Sequence, residues 1–128
     1  MKVVLTTNGH EAAEHAIRQA MALLPLLDAQ VWVVSVLDPE ERIGANENAS
    51  EHLVRAAALL GKGGIAGQTV LRRGHFAEEI VAVAHEVGAD VVVVGSAAHG
   101  AFVEWVTQGV SSEVIKRWRG SVLVVGPA

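Results

Sequence analysis

Short runs of apolar, mostly β-branched residues alternate along this chain with longer stretches whose apolar side chains recur every three or four positions. Lys2-Val3-Val4-Leu5-Thr6-Thr7 opens the pattern as a strand and stops at Asn8-Gly9, a turn signal. Ala13, Ala16, Ile17, Ala20, Met21 and Leu24 then share one face of a helix, with Pro25 close to its end. Gln30 to Leu37 reads as the second strand, closed by Asp38-Pro39. Residues 40–49 are polar, carry Gly44, Asn46 and Asn48, and predict a mobile loop. A short helix from Ser50 to Leu60 follows, with Gly61, Gly63 and Gly64 expected to end it.

Gln68 to Arg72 is the third strand. Gly74 leads into a helix whose apolar face is Phe76, Ile80, Val83, Ala84 and Val87, with Gly88 as its stop. Val91-Val92-Val93-Val94 is apolar without alternation, the pattern of a strand buried on both faces and therefore of a parallel sheet covered by helices. The last helix is expected to begin near Ser111, to pack Val114, Ile115 and Trp118, and to end at Gly120. Val122 to Val125 forms the final strand. Five strands alternating with four helices predict an α/β fold, a single doubly wound domain over residues 1–128 with helices on both faces of a parallel sheet. Right-handed crossovers leave few strand orders. In a flavodoxin-like or related order, the ends of the first strand and of Val91–Val94 share one crevice, where ligands bind.

Composition narrows the function. Net charge is −4 with His neutral, which argues against nucleic acid as a main partner. Lys116, Arg117 and Arg119 fall at the end of the last helix, where they favour the negative end of its dipole. Cysteine is absent, so the chain has neither a disulfide framework nor thiol chemistry. No apolar run approaches membrane length, and the first strand begins without a signal-like segment. Hydrophobic residues make up 51% and charged residues 19%, a balance that fits either a surface hidden in an oligomer or helices covering both faces of a sheet.

The glycine-bounded loop after Val94 carries the candidate chemistry. Gly95 and Gly100 bracket four residues, as in a P-loop, but Ala101 and Phe102 stand where Lys and Ser or Thr are required. The dinucleotide fingerprint also fails, because the first strand leads into Asn8-Gly9-His10. A phosphate cradle of backbone amides remains, with Gly109-Val110-Ser111-Ser112 at the start of the last helix. The competing reading of the same residues is a tight turn with a helix cap at Ser111 or Ser112.

Taken together, Asn8-Gly9-His10-Glu11, Asp38-Pro39, Gly74, Ala89-Asp90-Val91-Val92-Val93-Val94-Gly95-Ser96 and Ser121-Val122-Leu123-Val124-Val125 resemble the universal stress protein family over nearly the whole chain. The resemblance implies an adenine nucleotide α-hydrolase-like sheet of order 3-2-1-4-5. It also implies homodimers paired through the last strand, here Val122 and Val124, a cytoplasmic setting and a regulatory role in stress responses. One branch of the family binds ATP, with magnesium entering only alongside it; another does not bind nucleotide. The binding branch carries Gly, two residues, Gly, nine residues, then Gly followed by Ser or Thr. Here four residues separate Gly95 from Gly100, eight separate Gly100 from Gly109, and Val110 replaces the hydroxyl residue, with Ser111 next. His99-Gly100 matches the family's His-Gly pair. Asn8 stands in place of an acidic residue that contacts the nucleoside, and Val36 matches a position bordering the adenine.

Two readings follow. In one, a small dimeric sensor holds an adenine nucleotide with Asn8, Val36, Gly95, His99, Gly100, Gly109, Val110 and Ser111. In the other, a protein of the same fold works through its dimer surface without nucleotide. An enzyme is disfavoured: Ser96 lacks a nucleophile turn, and His10 and His99 lack a third metal ligand, so slow incidental ATP hydrolysis is the most that is expected. His15, His52 and His85 fall on helices and carry no signal. His75 is placed at the start of the third helix. Trp105, with Phe102 and Val106, is expected in the core, in a lid or at a dimer contact.

Overall fold

The structure, a computed structural model, describes residues 1–7, 11–37, 49–95 and 110–126, with side chains at 11, 12 and 110–112 left out. Its strands are β1 (Lys2–Thr6), β2 (Gln30–Leu37), β3 (Gly67–Arg73), β4 (Val91–Gly95) and β5 (Ser121–Val125). Its helices are α1 (Glu11–Met21), α2 (Ala49–Lys62), α3 (Phe76–Val87) and α4 (Val110–Arg117). All strand pairs are parallel, and the sheet runs β3-β2-β1-β4-β5. β1 therefore lies at the centre, beside the point where the winding reverses.

The two-residue period of the strands builds two cores. Val3, Leu5, Val31, Val33 and Val93 face α1 and α2 and meet Ile17, Ala20, Leu53, Ala56 and Leu60. Val4, Trp32, Val34, Val36, Val92 and Val94 face the other way and meet Ile80, Val83 and Ala84 of α3 and Val114 of α4. Leu5, Val33, Val34 and Val92 are 0% exposed, which is why these strands read as unbroken apolar runs.

Boundaries differ from expectation where backbone chemistry decides. Leu24 is buried as predicted, but in a 3-10 turn, Leu24–Leu27, and not on α1. Pro25 has no N–H and sits at the start of that turn. α2 continues through Gly61, and the left-handed residue behind it is Gly64 at φ 76°. α4 stops at Arg117, short of Gly120. Ile115, expected to pack, is 45% exposed, because Val114 at 0% takes the buried stripe and Ile115 lies about 100° around the helix from it. Trp118 is half-buried just beyond α4. Its indole N–H donates to the Ser121 carbonyl at 3.2 Å, and its ring meets His85 edge-on at 5.0 Å.

Gly88 ends α3 as expected, at φ 69°, with its N–H directed at the carbonyls of Ala84 and His85. A Cβ here would meet nothing closer than Lys2 Nζ at 3.9 Å, so a side chain costs backbone strain and not a clash. Gly88→Ala is expected to lower stability by about 1 kcal/mol. In urea titration Gly88→Asn should lose less, since Asn tolerates the left-handed conformation.

Candidate functional site

The carboxyl ends of the strands gather the described part of the predicted site. The Thr7 N–H donates to Val34 O at 2.9 Å, carrying the β1–β2 ladder one residue past Thr6. Leu5 lies level with Val93, one residue before the end of β1 and two before Gly95, the last residue of β4. Thr6 holds the two strands together here, its hydroxyl donating to Val93 O at 3.3 Å inside the core. Gly95 is level with Val125 on the other side, and Val36 ends the buried part of β2. β1, β2 and β4 thus finish at one edge, around the reversal point, which in open α/β sheets is where ligands bind.

Val36 and Gly95 are brought to this edge. The Val36 side chain is 8% exposed and packed into the core facing α3 and α4, so only its backbone is offered to a ligand. Val110 begins α4, followed by Ser111 on its first turn. Asn8, His99, Gly100 and Gly109 lie outside the described residues, as do His10, Ser96, Phe102, Trp105, Val106 and residues 40–48 of the loop expected over 40–49, whose last residue, Ala49, instead begins α2. His75 stands at the cap position of α3, without a side-chain hydrogen bond to the helix.

A further concavity, not expected above, lies between α1 and α2. It encloses about 240 Å³ and is lined by Thr7, Glu14, Arg18, His52, Arg55 and Lys62 over a floor of Ala56 and Leu59. The signal was present as spacing, since His52, Arg55, Leu59 and Lys62 recur at three- and four-residue intervals on one face of α2. Another hollow, of about 500 Å³, runs beside β5 and is lined by His15, Gln19, Leu23, Leu123 and Val125. Among the described residues no group of three potential metal ligands converges, and no helix is long and apolar enough to cross a membrane.

Comparison with known proteins decides the family. The model of the universal stress protein family matches residues 1–126. The chain belongs to this family. Universal stress protein MJ0531 of Methanocaldococcus jannaschii is 26% identical over 97% of this chain and 81% of its own length. Among solved structures, the protein MJ0577 aligns over 99% of this chain and 96% of its own, with 26% identity and a TM-score of 0.83. The universal stress protein of Archaeoglobus fulgidus, solved in complex with dAMP, aligns over 97% of this chain and 96% of its own, with 26% identity and a TM-score of 0.74. The five-stranded order is therefore the family's sheet, and the edge carrying Thr7, Val36 and Gly95 is described in a universal stress protein.

Proposed function

We propose that this universal stress family member is a single domain over residues 1–128 that binds an adenine nucleotide and acts as a small cytoplasmic sensor or regulator. The observation that carries the reading is the likeness to the Archaeoglobus fulgidus relative solved with dAMP, over nearly the full length of both chains. The meeting of three strand ends beside Gly95 supports it. In this reading Gly95, His99, Gly100, Gly109, Val110 and Ser111 hold phosphate and ribose. Val36 borders the base through its backbone, and Asn8 reaches the nucleoside as a donor and acceptor without charge. Backbone amides at the start of α4 supply a cradle that depends little on the Val110 side chain. Magnesium accompanies ATP only.

The domain pairs with a second copy through β5, using Val122 and Val124. β5 is an edge strand whose residues 122–125 are apolar and only half-buried in one copy. Chemistry is not the role of the site; slow ATP hydrolysis would be incidental to binding.

The test is the thermal midpoint with and without millimolar ATP and magnesium, with AMP and GTP as controls. At about one hundred times its dissociation constant a ligand stabilises the native state by roughly 2.7 kcal/mol, which raises the midpoint by several degrees. A flat midpoint with every nucleotide would overturn the reading. It would favour a nucleotide-free interaction protein, to which the altered Gly95–Gly100–Gly109 spacing, Val110 and Asn8 already point.

A further inference from the structure

We propose that the groove between α1 and α2 is a binding site for a small phosphate-class oxyanion, separate from the strand-end cradle. The chain as a whole has fourteen acidic residues against ten Lys and Arg. Against that excess, Arg18, Arg55 and Lys62 line one groove with His52, and among the described lining residues the one carboxylate is Glu14. Arg55 Nη2 lies 2.6 Å from one Glu14 oxygen and Arg18 Nη2 lies 3.7 Å from the other. Glu14 thus gathers two guanidiniums from two different helices. Each guanidinium has five N–H donors, whereas a carboxylate offers about four acceptor positions, so Glu14 orients both arginines without consuming their donors.

Access and size select the ligand. The Arg18 and Arg55 side chains are 55% and 64% exposed, while Glu14 is 20% exposed beneath them. The cations therefore stand at the mouth and the carboxylate at the base. Pockets for drug-sized molecules occupy about 300–1,000 Å³, and this groove is smaller. It accommodates a compact anion or the charged end of a longer one, and forked guanidiniums match phosphate oxygens in pairs. Thr7 also lines the groove, one residue beyond the end of β1, at the sheet edge where β4 ends in Gly95. The anion is either a free oxyanion or the phosphate end of a ligand reaching over from the strand edge.

Titration of the ¹⁵N-labelled protein with inorganic pyrophosphate, followed by amide chemical shifts, tests this. Saturable shifts are expected in α1 and α2 around Arg18 and Arg55. Replacing both arginines (R18Q with R55Q) should weaken binding roughly tenfold or more, as loss of charge-assisted hydrogen bonds requires. E14Q keeps an acceptor oxygen for both arginines but removes the negative charge that repels an anion, so it should tighten binding. Both arginine side chains are at the surface, and R55Q alone provides a milder variant if the double one is unstable. Absence of saturable shifts, unchanged binding in R18Q/R55Q, or weaker binding in E14Q would overturn the proposal. ADP separates the two sources: shifts at Arg18 and Arg55 with ADP assign the site to a nucleotide's phosphates, and shifts with pyrophosphate alone assign it to a free oxyanion. ADP shifts at Val36 and Gly95, with no response of the groove to either compound, would overturn this site while leaving the nucleotide reading intact.

Discussion

Leu5→Ala is expected to destabilise the protein by about 3 kcal/mol and to lower its thermal midpoint by on the order of 10 °C. Leu5 is 0% exposed on β1, the central strand, level with Val33 on one side and Val93 on the other. Ile17 and Ala20 of α1 and Leu53, Ala56 and Leu60 of α2 belong to the same core. Both neighbouring strands are fixed by their own ladders, so the cavity left by truncation has little room to collapse, and incomplete relaxation is what makes such losses large. Leu71→Ala makes the same chemical change on edge strand β3, where the side chain is 43% exposed, and should cost under about 1 kcal/mol. Urea titration of the pair is the measurement; equal losses would mean that β1 is not the rigid centre described above.

Val114→Asp is expected to release α4 from the sheet. Val114 is 0% exposed and packs with Ile80, Val83, Ala84, Val92 and Val94. An unpaired carboxylate at that position costs several kcal/mol, roughly 3 or more. Undocking the helix is the less costly response, and α4 is eight residues long, too short to persist alone. Amide exchange should become fast across residues 110–117 while the β1 and β2 amides stay protected. If α4 supplies amides to a nucleotide phosphate, the same variant should lose affinity more than tenfold. Val114→Ile, which stays apolar, should keep both the helix and the binding. Retained protection of α4 in Val114→Asp would contradict the burial of this side chain.

The sequence was most informative where burial is complete. Val91–Val94 read directly as a strand covered on both faces, and Val92, Val93 and Val94 are 0%, 3% and 2% exposed. Helix faces such as Ala13, Ala16, Ile17 and Ala20 were equally legible, because a helix docked on a sheet must present one continuous apolar stripe. Strand order was not contained in periodicity, which is blind to partners; it came with the resemblance to the family. Boundaries at Leu24, Gly61 and Gly120 were misplaced. There hydrophobicity and glycine signals competed with Pro25, with the end of α2 at Lys62, and with the shortness of α4. Of the candidate site, Val36 and Gly95 reach the strand edge together. The cationic groove went unnoticed because its residues come from two helices, and only the packing of α1 on α2 brings Glu14 to Arg55.

The two borders of the sheet are unlike, and that difference bears on aggregation. An open sheet ends in strands whose outer backbone groups are unpaired, each a template for further strands. β3 carries Gln68, Arg72 and Arg73, with Arg72 tied across to Glu86 of α3, so charge guards that border. β5 offers Val122, Leu123, Val124 and Val125 with no charged side chain among them. A two-fold axis joining β5 to a second β5 uses up both unguarded borders at once and leaves only guarded ones outward. In the proposed dimer, pairing of this kind would end itself at two copies, and the same apolar border would be closed to growth into a fibre.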